Sequence, residues 1–219
     1  MNTTTVKGMV ISSMPIGEYD RRLEILTDSL GRISAFARGA RKPQSSLVSV
    51  SRVFAFGEFD LYEGKSAYSL NAARISNYFE ELSNNVDITY FGFYFLEVAK
   101  YFSRENINAL DMLKLLYQSL RALSVEPIDN RLVKAIYELK MLDINGFCNI
   151  DKELERVNVM EATEYALRFV VLNPIEKLYT FKLTQECLLE FQDIVRTIFK
   201  KIVDKSFNSE EMIAGILES

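Results

Sequence analysis

The 219-residue sequence contains no histidine and only two cysteines, Cys148 and Cys187. Without histidine the chain has neither a His-dependent catalytic triad nor a His general base. Two cysteines also fall short of the four Cys or His ligands of a common structural zinc site. We therefore expect no metal and no cofactor, and we expect both cysteines to be reduced residues of the core.

Long apolar runs are missing as well. No stretch approaches the ~18 apolar residues that a membrane span requires. The start, MNTTTVKG, lacks a basic segment followed by an apolar one, so no secretory signal is expected. No phosphate-cradling GxxxxGK[ST] loop supports nucleotide hydrolysis. These absences predict a cytoplasmic protein without membrane contact, associated with the nucleoid if it binds DNA.

One segment of this acidic chain is strongly basic. The formal net charge is -4, yet residues 32–52 contain five cations and no Asp or Glu. These cations are Arg32, Arg38, Arg41, Lys42 and Arg52. A cationic loop beside a strand suits phosphate contact. Binding to phosphates depends on positive charge and on the length of the side chain more than on a geometry that matches the base edges. A solvated loop with ordinary surface cations is the alternative.

Alternating polar and apolar residues predict five strands in the first 80 residues. The strands are TVKGMVIS, RRLEILT, RISAFARG, VFAFGEFDLYEG and SAYSLNAARISNYF. MPIGEYD is expected to separate the first two strands, and residues 28–31 to form a hairpin turn. Five strands with short turns predict a small barrel or sandwich. The OB-fold is the five-stranded small barrel that commonly binds nucleic acid.

Beyond residue 80 the spacing of apolar residues becomes helical. Helices are predicted near residues 88–102, 110–123, 128–145 and 162–172, with a last long helix capped by Thr184. The predicted fold class is therefore α+β. It combines a five-stranded OB-fold DNA-binding domain over residues 1–80 with an all-α domain over residues 81–219.

Four stretches in this order resemble the RecO family of bacterial recombination mediators. They are GMVISSMPIGEYDRRLEILTDSLGRISAFARGARKPQS, FAFGEFDLYEG, YELKMLDINGF and ALRFVVLNPIEKLYTFKLTQECLLEF. The resemblance spans nearly the whole chain. Many members carry a four-cysteine zinc site after the position of Gly146 and Phe147. Here only Cys148 lies near that position, so the sequence indicates a zinc-free variant of the helical domain.

The resemblance implies a non-enzymatic protein of the RecF pathway of DNA repair. Such a protein binds single- and double-stranded DNA and anneals complementary strands. With its partner RecR it helps load recombinase onto DNA coated by single-stranded DNA-binding protein (SSB). It also binds the acidic C-terminal tail of SSB, generally through the helical domain.

Site residues are predicted in both domains. The DNA-binding candidates are Arg32, Arg38, Arg41, Lys42, Lys65 and Arg74. Tyr19, Tyr62 and Tyr68 are candidates for base stacking, with packing against the barrel as the alternative role. The SSB tail is acidic with an aromatic end, so its candidate partners are cations on the second and third helices. They are Arg121, Arg131, Lys134 and Lys140, for which solvated helix faces are the alternative.

Two other functions fit parts of the sequence. A protein-binding adaptor without intrinsic DNA affinity would use the basic loop for an acidic partner, and the salt dependence of DNA affinity separates it from a DNA-binding protein. A metal-dependent nuclease would use Glu58, Asp60 and the Glu63-x-Lys65 element, because neighbouring carboxylates bind Mg²⁺. The last element fits a hairpin turn better, and Mg²⁺-dependent cleavage of DNA would identify a nuclease.

Overall fold

A computed structural model describes residues 3–125, 128–155 and 157–217. The chain divides into two compact units. One comprises Met1–Glu80 and Leu96–Leu113, and the other comprises Glu81–Phe95 and Lys114–Ser219. The domain boundary that the sequence places at residue 80 stays a prediction.

Five strands of the first unit form a closed barrel. They are β1 (Thr3–Ile16), β2 (Asp20–Thr27), β3 (Arg32–Ala37), β4 (Phe56–Tyr62) and β5 (Tyr68–Asn77). The order around the barrel is β1-β2-β3-β5-β4, and the pairing of β4 with β1 closes it. β3 and β5 run parallel, while the other neighbours are antiparallel. This five-stranded closed barrel followed by helices confirms the predicted OB-fold and the α+β class.

Alternation along each strand separates the barrel core from its outer face. In β3, Ile33 and Ala35 are buried, while Arg32, Ser34 and Phe36 between and beside them are only partly buried. The core is built from apolar residues of all five strands, including Val10, Leu23, Ile25, Phe59 and Leu70. The side chains of β3 therefore alternate between the barrel core and its outer face.

The first turn differs from the sequence prediction. β1 continues through Met14 and Pro15 to Ile16, and only residues 17–19 form the turn. The prediction that MPIGEYD as a whole breaks the strand is therefore wrong. Pro15 lies opposite Arg21 near the end of the ladder, where a missing N–H is tolerated. The reversal falls on Gly17, whose positive φ of 55° suits glycine.

Nine α-helices lie in the part of the chain that the structure describes. They are α1 (Leu47–Val50), α2 (Glu80–Ser83), α3 (Val86–Phe102), α4 (Leu110–Ala122), α5 (Asn130–Ile144), α6 (Ile150–Leu154), α7 (Glu161–Leu172), α8 (Gln185–Ile202) and α9 (Asn208–Leu217). The five helices predicted from the sequence correspond to α3, α4, α5, α7 and α8. Thr184 caps α8 as predicted, accepting a hydrogen bond from the N–H of Cys187 at 3.4 Å. Within the described ranges, no helix combines the length and apolarity needed to cross a membrane.

Candidate nucleic-acid interface

Three exposed cations lie together on the turn that follows β3. We call residues 38–42 the basic loop; it presents Arg38, Arg41 and Lys42 to solvent. Among the residues that the structure describes, none of these three side chains forms an ion pair with a carboxylate. Their positive charge is therefore available to a ligand. Ala40, the remaining side chain of the basic loop, is buried in the barrel core and holds the loop against the sheet.

Hydrogen bonds fix the basic loop to the β1–β2 turn. Asp20 Oδ1 accepts from the N–H of Gly39 at 2.7 Å. The N–H of Arg41 donates to the carbonyl of Tyr19 at 2.8 Å, and Arg41 Nη1 donates to the carbonyl of Gly17 at 3.2 Å. The loop is thus held in one conformation before any ligand binds, which lowers the conformational entropy lost on binding.

An aromatic ring accompanies these cations. Lys42 Nζ lies 5.3 Å from the centre of the Tyr19 ring, within cation–π distance. Tyr19 itself is 46% exposed. Tyr62 is half-buried, and Tyr68 is partly buried and packs against the barrel core. Of the three tyrosines considered for stacking, the structure places only Tyr19 beside the basic loop.

Arg32 lies in a different electrostatic environment. Its Nη1 donates to Glu24 Oε1 at 3.0 Å, and the other oxygen of Glu24 accepts from Lys100. The backbone N–H of Arg32 donates to the carbonyl of Arg104 at 3.1 Å. Arg32 is therefore partly neutralised by Glu24 and lies under the segment that contains Lys100 and Arg104.

Arg74 is also paired. Its guanidinium donates to Glu58 Oε2 at 3.0 Å and to Asp60 Oδ2 at 3.1 Å. The hydrogen bond to Glu58, assisted by the charge of Asp60, raises the pKa of Arg74 above its usual value. Lys65, by contrast, is exposed on the connection between β4 and β5. Arg32 and Arg74 thus face carboxylates, whereas Lys65 faces solvent.

The carboxylates considered for a nuclease site are engaged by protein groups. Glu58 and Asp60 both accept from Arg74, and Asp60 Oδ1 also accepts from Thr5 Oγ1 at 2.7 Å. Across residues 3–125, 128–155 and 157–217, no cluster of three or more His, Cys, Asp or Glu side chains could hold a metal ion. Glu58 and Asp60 thus form ion pairs from β4 to Arg74 on β5.

Three neighbouring side chains on the outer face of the barrel were not predicted from the sequence. Met14, Arg22 and Phe36 lie side by side on β1, β2 and β3. The alternation of RISAFA already indicates that Phe36 lies opposite to the buried Ile33 and Ala35. The pairing with Met14 and Arg22 depends on strand register, which alternation within one strand does not reveal.

The second unit brings two of the four predicted SSB-tail cations together. Arg131 and Lys134 line one groove with Arg196, a residue that sequence analysis did not select. Phe91, Ala135 and Ile213 supply apolar surface, and Glu138 and Glu210 also line the groove. Lys134 donates to Glu138 at 2.6 Å, while Arg131 is paired with Asp129 at 2.6 Å.

The other two predicted cations lie elsewhere in that unit. Arg121 is exposed and lines a separate shallow pocket with Gln118 and Tyr179. Lys140 is buried, and its Nζ donates to Asp143 Oδ2 and to the carbonyl of Val171, both at 2.8 Å. With two acceptors inside the protein, the buried ammonium group of Lys140 stabilises the fold and is not available to a peptide.

Comparison with known proteins identifies the family. The sequence model described as Recombination protein O N terminal matches residues 1–79. The DNA repair protein RecO of Acetivibrio thermocellus is 23% identical over 243 aligned positions, which cover 97% of each chain. That of Clostridium acetobutylicum is 27% identical, again over 97% of each chain. That of Caldicellulosiruptor saccharolyticus is 32% identical over 67% of this chain and 60% of its own. Together with the five-stranded barrel and the helices that follow it, these matches show that the chain belongs to the RecO family.

Proposed function

We propose that this chain is a DNA repair and recombination mediator that binds DNA through the basic loop of its barrel. Relatives that match over nearly their full length carry the name DNA repair protein RecO. The observation that carries the proposal is the exposed group of Arg38, Arg41 and Lys42, without a carboxylate partner among the described residues. In a chain with a net charge of -4, such a group is a local site for a polyanion.

The mechanism follows from charge neutralisation. Arginine and lysine side chains on a fixed loop contact phosphates of any sequence, and each contact releases counterions. When the chain binds two complementary strands, it lowers the repulsion between their phosphates and brings them to a high local concentration. Base pairing then supplies the free energy of annealing, so no nucleotide hydrolysis is required.

The helical unit supports a proposal about partners. Arg131, Lys134 and Arg196 line a groove beside the apolar surface of Phe91 and Ile213. Each of these cations is paired with a carboxylate of the protein, so an acidic peptide would bind by replacing such a partner, most readily the exposed Asp193 of Arg196. This combination fits an acidic peptide that ends in an aromatic residue, as in the SSB tail. With RecR, the same protein would then help load recombinase onto DNA coated by SSB.

Fluorescence anisotropy with labelled single-stranded DNA, at low and moderate salt, tests the DNA-binding proposal. The variant Arg38→Ala/Arg41→Ala/Lys42→Ala should bind more weakly. Its slope of log K against log salt should fall by about 2 in magnitude, because each lost contact with a single strand contributes about 0.7. The charge-matched control is Lys152→Ala/Lys177→Ala/Lys182→Ala, which removes three exposed cations of the helical unit.

A strand-annealing assay, run with and without ATP and Mg²⁺, completes the experiment. Salt-sensitive binding with ATP-independent annealing and intact DNA supports the mediator. A folded chain that binds no DNA at low salt would instead favour the adaptor function, and cleavage that requires Mg²⁺ would favour the nuclease. Equal loss of affinity in both triple variants would overturn the assignment to the basic loop.

A further inference from the structure

A second groove of the helical unit runs along helix α7. One of its walls is α7, and the other is the segment of residues 180–183 that leads into α8. We call it the α7 groove. Its volume is about 680 Å³, within the range of ligand-binding pockets. It shares no lining residue with the groove of Arg131, Lys134 and Arg196, so the two are separate features of the unit.

Aromatic side chains give the α7 groove an exposed apolar surface. Ala162, Tyr165 and Phe169 recur at spacings of three and four, which places them on one face of the helix. Tyr165 is 71% exposed, and its ring lies 6.4 Å from that of Phe169. The Phe181 ring of the other wall packs edge-on against Phe169 at 5.3 Å. Exposed apolar groups gathered in this way mark an interaction site more often than scattered ones do.

The segment opposite α7 resembles a short strand without a neighbour. Thr180 and Lys182 are exposed, while Phe181 and Leu183 are half-buried, and this alternation is typical of extended backbone. Both ends are fixed, because the Thr180 hydroxyl donates to a carbonyl of the preceding turn at 2.7 Å and Thr184 caps α8. Among the described residues, no group forms a hydrogen bond with the backbone of residues 181–183. Their N–H and C=O groups are therefore open to a ligand.

The size of the α7 groove decides between two possible occupants. A stable dimer takes roughly 20 to 30 residues from each partner. Nine of the described residues line the α7 groove, which is too few to hold a second copy of the chain. A single extended peptide needs only a free strand edge and an adjoining apolar groove. Both are present here.

We infer that the α7 groove binds an extended peptide segment of another protein, which adds as a strand to residues 181–183. In strand addition, backbone hydrogen bonds supply affinity, and pockets for alternate side chains supply specificity. The open backbone of residues 181–183 offers the hydrogen bonds. The space between Tyr165 and Phe181 receives an apolar side chain of the peptide. This role is independent of DNA binding by the basic loop.

Two charged side chains on opposite walls define the charges of that peptide. Glu161 at the start of α7 and Lys182 on the segment are both exposed. Among the residues that the structure describes, neither forms an ion pair. A peptide with a cation beside Glu161 and an anion beside Lys182 complements both, whereas a uniformly acidic peptide is repelled by Glu161. Exposed pairs of this kind contribute more to orientation than to affinity.

Peptide selection on the full chain tests the inference. A random peptide library displayed on phage is selected on the immobilised chain, and the selected peptides are then synthesised with a fluorescent label. We expect apolar residues at alternate positions. Tyr165→Ser should lower their affinity about tenfold, because it removes an aromatic anchor. Phe147→Ser, at a 52% exposed position outside the α7 groove, is the matched control and should bind as the parent does. Circular dichroism checks that both variants are folded.

Two backbone measurements identify strand addition. The amides of residues 181–183 have no partner among the described residues, so they should exchange hydrogen quickly in the free chain. A bound peptide should slow the exchange of alternate amides in this segment. N-methylation of the peptide should abolish binding at every second position only, because alternate residues of a strand face a given neighbour.

The other outcomes overturn the inference in different ways. If no peptide is selected, or if the selected peptides bind Tyr165→Ser as tightly as the parent, the α7 groove is not the site. If Tyr165→Ser weakens binding but no amide is protected, the ligand docks on α7 without strand addition. If light scattering shows a dimer that Tyr165→Ser converts to a monomer, the occupant is a second copy. DNA affinity should be equal in Tyr165→Ser and the parent, so the proposed function is tested separately.

Discussion

Asp20 Oδ1 accepts a hydrogen bond from the backbone N–H of Gly39 at 2.7 Å, and this bond joins the start of β2 to the basic loop. Gly39 has a φ of 71°, which glycine adopts without strain. The carboxylate therefore fixes the loop backbone while placing a negative charge beside three cations. Fixing the loop should favour DNA binding, whereas the negative charge should oppose it.

Substitution of Asp20 should separate these effects. Asp20→Asn keeps an oxygen acceptor for Gly39 and removes the charge, so we expect tighter DNA binding at low salt with little change in stability. Asp20→Ala removes the acceptor and should lower the free energy of unfolding by about 1 kcal/mol. Urea unfolding and anisotropy measure the two quantities. Weaker binding by a fully stable Asp20→Asn variant would contradict the electrostatic argument.

Arg41 and Arg74 should differ in their effect on DNA affinity although both are exposed arginines. Arg41 has no carboxylate partner among the described residues, whereas Arg74 is shared by Glu58 and Asp60. We expect Arg41→Ala to weaken binding of single-stranded DNA and Arg74→Ala to leave it nearly unchanged. The comparison is made by anisotropy at one low salt concentration. Equal losses would assign both residues to the interface.

The cations could be counted from the sequence, but which of them are paired with a carboxylate could not be predicted from it. Arg32 and Arg38 lie six positions apart in one basic segment. Strand register puts Glu24 beside Arg32, while Arg38 lies beyond the end of β3. An ion pair between residues on different strands depends on how the strands align, and a linear charge pattern carries no such information.

The outer face of β3 illustrates the same limit. Alternation along RISAFA places Phe36 outside, and this much is predictable. Whether the outside of a strand is exposed depends on what packs over it. Here residues around Lys100 and Arg104 cover the Arg32 end of β3 and leave the Phe36 end open. Helices of four or five residues, such as α6, were likewise missed because they are too short for a periodic pattern.

Cys148 should be unreactive at neutral pH. Burial raises the pKa of its thiol to about 11, with a further contribution from Asp143 and Glu153. In the unfolded chain the thiol has its ordinary pKa of 9.0, so the folded state holds the proton more tightly. The stability of the fold that comes from this difference in pKa is fully present below pH 9.0. It is lost as the pH rises toward 11.

Alkylation by iodoacetamide, followed by mass spectrometry, measures this shift. In a Cys187→Ala background, the native chain should react slowly below pH 9.0 and faster toward pH 11, because the thiolate is the nucleophile. The urea-unfolded chain should react with an ordinary pH profile. Identical profiles for the native and unfolded chains would show that the thiol is not shielded.

A largely buried ion pair in the lining of the groove should control the stability of the helical unit. Glu138 is only 4% exposed and accepts from both Lys134 and Tyr94. Lys134→Met would leave the carboxylate buried without its cation, so we expect the free energy of unfolding to fall by about 3 kcal/mol. The double variant Lys134→Met/Glu138→Gln should recover part of that loss. Urea unfolding gives both values, and an additive double variant would mean that the pair is not coupled.

Arg196 provides the cleaner test of the groove as a peptide site. The Arg196 side chain is 64% exposed, and among the described residues it pairs only with the exposed Asp193. Arg196→Ala should therefore leave stability almost unchanged. It should nevertheless weaken binding of a labelled acidic peptide with a C-terminal phenylalanine, because one of three groove cations is lost. Arg121→Ala, at the separate pocket lined by Tyr179, is the control. Each variant removes one exposed positive charge from the same unit, so the two are matched in charge. A larger loss of peptide affinity in Arg121→Ala would assign the peptide site to the pocket lined by Tyr179.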